Sequence, residues 1–300
     1  MSAINKVVLI GKGFLGSAIL EQLVDGGFAV TVFTRDKKSI QGVPAGAEVA
    51  EVDYASATSL ENALRGQDVA ISTVAGHALG GQKLIIDACI KAGVKRYIPC
   101  DWGSLSTDPV AKQLAVYAPQ VATQDYLREK AELGELEYTI ISTGVFLDLV
   151  FMTPTLVDFE AHTALIYDNG IHPFSTSSLA SIGKAVVGAL KKATETKNSV
   201  LYIHDTVLTQ AKFMALLKKH SPKGVEWTET AVDAEAELQR STKAIQESGM
   251  DMFNMIGQLK AAFLGGKYGA AYKRVDNELL GLGLLDDEGL EAKVIAKLGN

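Results

Sequence analysis

Short apolar segments alternate with longer amphipathic segments along the first half of the chain. The short segments have the length and composition of buried strands, and the longer ones repeat their apolar residues at helical spacing. This alternation predicts an α/β fold with a doubly wound parallel sheet. The predicted strands are Val7–Ile10, Ala29–Phe33, Val69–Ser72, Tyr97–Cys100 and Tyr138–Ser142. The predicted helices are Leu15–Asp25, Ser59–Leu64, Gln82–Ala92 and a long one within Lys112–Leu133.

The alternation weakens after about residue 144. The pattern there still indicates strands and helices, but not a repeated strand–helix unit, and the remainder of the chain is mainly helical. We therefore expect a smaller C-terminal α+β part that packs against the sheet. Its predicted elements are strands at Thr163–Ile166 and Val200–Ile203 and helices at Ser178–Leu190 and Thr209–His220.

Composition and charge narrow the possible functions. The chain has 300 residues, of which 47% are hydrophobic, and this supports a large core. A net charge of −6 argues against direct nucleic-acid binding, which needs a basic surface. We find no apolar run long enough for a bilayer and no export signal. Two cysteines and scattered histidines predict no disulfide framework and no metal site. We expect a cytoplasmic protein, monomeric or homodimeric, that binds a small molecule.

A glycine-rich loop lies between the first predicted strand and helix. The G-x-G-x-x-G spacing in this context is typical of a Rossmann dinucleotide site. The first glycine permits a tight turn, the second lets the backbone approach pyrophosphate, and the third allows close helix–strand packing. The loop therefore predicts cofactor contacts at Gly11, Lys12, Gly13, Phe14, Leu15 and Gly16. We assign residues 1–152 to the dinucleotide-binding domain and 153–300 to the substrate-binding part, with interleaved contributions.

The end of the second predicted strand favours NADP (NADPH) over NAD. NAD sites usually place an acidic residue there, whereas this chain has Thr34 and Arg35. Arg35 offers a planar fork for a 2′-phosphate, and Lys38 adds a second positive charge. Asp36 leaves an NAD-type contact open if the register shifts. Asp53, after a third strand, is expected to face the adenine.

Five passages, in order, resemble the NmrA-like family of atypical short-chain dehydrogenases, in particular its isoflavone-reductase-like branch. Residues 92–103 are similar to that branch's G-V-K-R-F-I-P-S-E-F-G passage, and residues 138–146 to its Y-T-x-x-x-x-G-F-F passage. The other three passages are residues 8–16, 33–35 and 69–74. The resemblance implies further cofactor or pocket contacts at Thr73, Val74, Ala75, Asp101, Trp102, Gly103, Thr143, Val145 and Phe146.

The chain departs from the family at one catalytic position. The resemblance implies a lysine on the long helix, but the matching position holds Gln120, or Gln124 in another alignment. Glutamine can orient an oxygen but is a poor general acid. Other proton donors to consider are Tyr117, His77, and Tyr126 with Lys130, which has the Tyr-x-x-x-Lys spacing of short-chain dehydrogenases.

These features leave three functions open. The first is an NADPH-dependent oxidoreductase that reduces a C=C or C=O bond of an apolar, aromatic or secondary-metabolite molecule. The second is an NADP(H)-binding redox sensor without turnover, which would act through a regulatory protein partner. The third is a redox-neutral isomerase that keeps the cofactor.

Overall fold

The computed structural model describes residues 4–74, 76–103 and 105–299. The strands are β1 (Lys6–Ile10), β2 (Ala29–Thr34), β3 (Ala47–Glu51), β4 (Val69–Ser72), β5 (Arg96–Ile98), β6 (Glu137–Ser142), β7 (Val145–Phe146), β8 (Val157–Asp158), β9 (Thr163–Tyr167), β10 (Phe174–Ser177), β11 (Ser199–Tyr202), β12 (Thr206–Leu208) and β13 (Thr228–Val232). The α-helices are α1 (Phe14–Asp25), α2 (Ala57–Leu64), α3 (Gln82–Ala92), α4 (Ala118–Glu132), α5 (Leu147–Met152), α6 (Leu179–Lys191), α7 (Gln210–His220), α8 (Ala234–Ser248), α9 (Met252–Leu264), α10 (Asn277–Leu280) and α11 (Asp287–Leu298).

Seven strands of the described chain form one parallel sheet in the order β11-β6-β5-β4-β1-β2-β3. The strand order reverses between β1 and β4, as it does in a doubly wound Rossmann sheet. Helices cover both faces, so the strands carry apolar residues on both sides. Val7 and Leu9 of β1 pack with α1 and α6, whereas Val8 and Ile10 pack with α2, α3 and α4. The predicted fold class is confirmed.

The C-terminal half contributes to this sheet as well as to a smaller part. After β10, helix α6 packs against α1, and β11 pairs with β6 in parallel. Two small sheets, β12-β10-β7 and β13-β9-β8, combine strands from before α6 with β12 and β13, which follow β11. Helices α7 to α9 also follow β11. The two parts are therefore interleaved. None of the described helices is long and apolar enough to cross a membrane.

One predicted strand boundary was wrong for an identifiable reason. The strand expected at Tyr97–Cys100 is β5, Arg96–Ile98, because Pro99 has no N–H and the amide of Cys100 bonds to the Gln82 side chain instead. The long helix lies within the predicted range, from Ala118 to Glu132, and a proline occupies its first turn. Two short 3₁₀ turns precede it, at Ala111–Gln113 and Ala115–Tyr117.

A buried arginine of β5 forms hydrogen bonds to the segment between α6 and β11. The guanidinium of Arg96 is fully buried and donates to the Glu137 carboxylate at 2.6 Å and to the Thr196 hydroxyl at 3.1 Å. It also donates to the carbonyl of Ala193 at 2.6 Å, just after α6. A buried charge that loses its partners is costly, so these contacts lock the edge of the sheet.

We predict that Arg96→Met lowers the free energy of unfolding by about 3 kcal/mol or more, because the Glu137 carboxylate and the polar groups near Thr196 lose their donor. Urea titration monitored by circular dichroism measures the loss. Lys197 pairs with the same Glu137 at 2.9 Å but is exposed, so Lys197→Met serves as control and should cost less than about 1 kcal/mol. Equal losses in the free energy of unfolding for the two variants would contradict the stabilising role of the buried Arg96 contacts.

Candidate functional site

The carboxyl ends of β1, β2, β4, β5 and β6 lie along one edge of the sheet because these strands are parallel. The order reversal between β1 and β4 opens a crevice at this edge, which is where ligands bind in open α/β sheets. The loops that follow these strands carry most of the predicted site residues.

The glycine loop is held tightly against the loop after β4. Gly11 adopts a φ of +100°, and a Cβ there would lie 3.1 Å from the Thr73 carbonyl oxygen. A Cβ on Gly16 would lie 2.7 Å from the Thr73 hydroxyl oxygen and closer still to the Gly11 carbonyl. The Thr73 hydroxyl itself donates to the Gly11 carbonyl at 2.7 Å. Only glycine fits at these two positions.

Gly13 has the opposite environment. No atom lies within 4 Å of where its Cβ would be, so a ligand has room to approach the backbone. Gly13 is also the N-cap of α1, where it offers no side-chain acceptor to the first amides, and the first turn has no acidic residue. These free amides and the positive end of the helix dipole form a ready site for an anion such as pyrophosphate.

The other loop residues differ in exposure. Phe14 is exposed and Leu15 is buried in the core beneath α1. The Lys12 ammonium donates to the Gln41 carbonyl at 2.7 Å. Lys12 therefore ties the glycine loop to the segment between β2 and β3.

A cleft of about 610 Å³ opens at the ends of β2 and β3. Arg35 and Tyr54 line it together, and burial raises the pKa of Tyr54 to about 12, although the nearby Arg35 lowers it. Asp53 also lines the cleft. Its carboxylate accepts the Ala55 amide at 2.9 Å, and its own amide donates to the Ser59 hydroxyl at 3.1 Å. Glu51 lines it as well, so the cleft combines a cation, an aromatic ring and two carboxylates.

The turn after β2 is shaped by its own side chains. The Asp36 carboxylate accepts the Lys38 amide at 2.8 Å, and the Thr34 hydroxyl donates to the Asp36 carbonyl at 3.1 Å. Asp36 therefore forms the turn, and the side chains of Arg35 and Lys38 are exposed.

Three polar or aromatic side chains that the resemblance assigned to the cofactor are turned inward. Asp101, Trp102 and Thr143 are buried, with relative exposures of 2%, 7% and 0%. The Trp102 indole donates to the Ser72 carbonyl at 3.0 Å, and the Thr143 hydroxyl donates to the Trp102 carbonyl at 2.7 Å. These side chains therefore form internal hydrogen bonds rather than facing the crevice.

Asp101 belongs to a buried polar network. Its carboxylate accepts the Ser106 hydroxyl at 2.5 Å and the Gln124 amide at 2.6 Å. Burial raises the pKa of Asp101, while these two hydrogen bonds lower it. Arg128 donates to the amide oxygen of Gln124 at 3.0 Å. Both ends of the Gln124 amide are therefore engaged within the protein.

Gln120 lies one turn before Gln124 on α4, towards the crevice. Its amide oxygen is buried and has no hydrogen-bond partner. A buried polar atom without a partner is costly and marks a place where a ligand group or water can bond. Tyr117, three residues before Gln120 and directly before α4, is also buried.

Tyr126 and Lys130 lie on the side of α4 that faces α3. The Tyr126 hydroxyl donates to the Asp87 carboxylate in a short hydrogen bond, and Lys130 pairs with Glu135 at 3.2 Å. Burial and Asp87 raise the pKa of Tyr126 to about 12. This shift is opposite to the lowering that the Tyr-x-x-x-Lys motif would need for catalysis.

The remaining predicted positions are partly exposed or undescribed. Val74, Gly103, Val145 and Phe146 are half-buried at the carboxyl edge. Ala75 lies outside the described residues. His77 falls in a 3₁₀ helix, Gly76–Gly81, but its side chain is not among those described. Across the part of the chain that the structure describes, no three His, Cys, Asp or Glu side chains are placed to hold a metal ion.

The sequence analysis did not predict two side chains that shape the site. The Tyr272 hydroxyl accepts the Gly144 amide at 2.9 Å, directly after β6. The buried Gln82 side chain accepts the Cys100 amide at 2.7 Å and the Tyr97 hydroxyl at 3.2 Å. Burial raises the pKa of Tyr272 far above its usual range, and the neighbouring Tyr117 and Asp101 raise it further.

Known proteins resemble this chain over nearly its whole length. A family model described as NAD(P)H-binding matches residues 11–192. Oxidoreductase aprR from Aspergillus flavus is 30% identical over 298 residues, which cover 97% of this chain and 98% of that protein. Isoflavone reductase homolog P3 from Arabidopsis thaliana is 27% identical over 284 residues, which cover 87% of this chain and 87% of that protein.

The fold also has solved counterparts. The NADPH-dependent quinone oxidoreductase QOR2 from Escherichia coli, complexed with NADPH, has a TM-score of 0.75 at 18% identity, with 98% of this chain and 100% of that chain covered. The relatives confirm the resemblance to isoflavone-reductase-like proteins that the sequence motifs predicted. The chain belongs to the NAD(P)H-binding family, among relatives named as oxidoreductases and isoflavone reductase homologues.

Proposed function

We propose that this chain is an NADPH-dependent oxidoreductase that reduces a C=C or C=O bond in an apolar, aromatic small molecule of the secondary-metabolite type. The observation that carries the proposal is the combination of open Gly13 at the uncapped start of α1 with Arg35 in the cleft after β2. The first suits a pyrophosphate and the second suits a phosphate on the adenosine ribose.

Different residues at the crevice bind different parts of the cofactor. The amides at the start of α1 hold the pyrophosphate, and the Arg35 fork holds the 2′-phosphate. Tyr54 and Asp53 line the cleft where the adenine lies. The backbone after β4, β5 and β6 flanks the nicotinamide. A bound NADPH supplies a hydride, which is chemistry that no side chain of the protein provides.

Gln120 of α4 and Tyr117, which directly precedes α4, act on the substrate end. The unpartnered amide oxygen of Gln120 accepts a hydrogen bond from a hydroxyl group of the substrate or of the ribose. Tyr117 is the proton donor, and it sits beside buried apolar residues of α5, Leu147 and Val150. This apolar surrounding favours an apolar substrate.

A second candidate, cofactor binding without turnover, is favoured by one observation. Gln124, the alternative position for the family lysine, is buried, donates to Asp101 and to the Ser106 carbonyl, and accepts from Arg128. Tyr117 would then be a structural residue, and bound cofactor would act as a signal.

An absorbance assay at 340 nm with enones, aryl ketones and isoflavonoids separates these candidates. Reductase function predicts that at least one compound is reduced with stoichiometric oxidation of NADPH. Tight NADPH binding with no turnover across the panel would favour the second candidate. No binding of either nicotinamide dinucleotide would contradict both.

We predict that Arg35→Asp raises the Kd for NADPH by at least about 30-fold and changes the Kd for NADH by less than about threefold. The substitution removes the fork and places a negative charge beside the 2′-phosphate, which NADH lacks. Fluorescence titration measures both constants. Arg65→Asp is the matched control, because Arg65 is exposed at the end of α2 outside the cleft. Equal losses for NADPH and NADH would show that Arg35 does not contact the phosphate.

We predict that Gln120→Leu lowers kcat/KM for the best substrate by about five- to tenfold, which corresponds to the loss of one hydrogen bond. The melting temperature should not fall, since the amide oxygen has no partner within the protein. Steady-state kinetics and thermal unfolding are measured together. Gln113→Leu, at an exposed position before α4, is the control. Unchanged kinetics in Gln120→Leu would remove Gln120 from the site.

A further inference from the structure

The cofactor cleft contains a negative charge that the NADP preference does not require. Glu51 ends β3, directly in register with Thr34 at the end of β2. Its side chain is exposed and lines the same cleft as Arg35. A carboxylate in a pocket that binds a phosphate group weakens that binding by repulsion.

The Glu51 carboxylate is fixed in this position. One of its oxygens accepts the backbone amide of Lys37 at 3.0 Å, two residues after Arg35. The carboxylate is thus attached to the same turn that presents the arginine fork. The hydrogen bond also stabilises the turn, so Glu51 has a structural role apart from its charge.

The charge of Glu51 is not cancelled by a neighbour. Within the described residues, no lysine or arginine nitrogen lies within 4.0 Å of this carboxylate. Arg35 likewise has no ion-pair partner within that distance there. A ligand in the cleft therefore meets one free positive charge and one free negative charge, in addition to Asp53.

We propose that Glu51 is a specificity-determining residue that limits the preference for NADPH over NADH. This inference rests on the proposed function, since it takes the cleft as the site of the adenosine 2′-phosphate. The 2′-phosphate of NADPH meets both Arg35 and Glu51, whereas the neutral 2′-hydroxyl of NADH is nearly insensitive to the charge of either. The protein accordingly binds NADPH more tightly than NADH but retains measurable affinity for NADH.

Glu51→Gln tests the charge alone, because the glutamine oxygen still accepts the Lys37 amide. At low ionic strength this variant should bind NADPH about three- to tenfold more tightly than the unmodified protein, with the Kd for NADH changed by less than about twofold. At 0.5 M NaCl the gain should shrink to less than about twofold, because salt screens exposed charges. Fluorescence titration of both dinucleotides at both salt concentrations provides the measurement.

Two further variants make the result specific. Glu48→Gln makes the same charge change on the same strand, outside the residues that line the cleft, and should leave both constants unchanged. Glu51→Ala removes the anchor of the turn as well as the charge, so it should gain less affinity for NADPH than Glu51→Gln. Melting temperatures confirm that each variant is folded.

The outcomes separate this inference from the proposed function. If Glu51→Gln leaves the NADPH constant unchanged, weakens it, or tightens NADPH and NADH equally, while Arg35→Asp still weakens NADPH alone, the inference about Glu51 is wrong and the cofactor assignment remains. If Arg35→Asp has no selective effect on NADPH, the assignment of the cleft is wrong and the inference falls with it.

Discussion

The close approach of α1 to the sheet is the constraint on which the site depends. The pairing of β1 with β4 brings Thr73 against the glycine loop, and the Thr73 hydroxyl bonds to the carbonyl of Gly11. No side chain fits at Gly11 or Gly16 without moving backbone or this hydroxyl. The start of α1 is thereby aimed across the carboxyl edge of the sheet with its first amides free. The same helix also packs against α6, which comes from the C-terminal half of the chain.

The rim of the crevice is held by hydrogen bonds that cross from strand to strand. The Trp102 indole bonds to the Ser72 carbonyl, the Thr143 hydroxyl bonds to the Trp102 carbonyl, and the Ser177 hydroxyl bonds to the Thr143 carbonyl at 2.6 Å. The Tyr272 hydroxyl accepts the next amide, that of Gly144. Buried and fully paired groups of this kind rigidify a site. The side chains that a motif suggests as ligand contacts here fix the backbone of the rim.

The sequence predicted the local features and missed the long-range ones. The glycine loop, Arg35 and the strand–helix alternation are coded by neighbouring residues, so the fold class and the cofactor loop could be predicted. Tyr272 acts on Gly144 from 128 residues away, and nothing in the local pattern around it points to that contact. The burial of Arg96 could not be predicted from its neighbours in sequence either, because its partners come from β6 and from just after α6.

The choice between the two glutamines illustrates the same limit. Both positions fit the family register, and only tertiary contacts distinguish Gln124, which is paired with Asp101, from Gln120, whose oxygen has no partner. Likewise, the Tyr126–Lys130 spacing is correct for a catalytic pair, but the hydroxyl is bonded to Asp87 on α3. Spacing along a helix shows which side chains share a helix face, but it does not show which element packs against that face.

A crystal structure of the protein with NADP⁺ would show whether the start of α1 and Arg35 hold the cofactor. We expect pyrophosphate oxygens within about 3 Å of the amides at the start of α1, over Gly13, with the 2′-phosphate against the Arg35 guanidinium. A dinucleotide bound with its pyrophosphate away from the glycine loop, or with its 2′-phosphate in solvent and Arg35 unengaged, would contradict it.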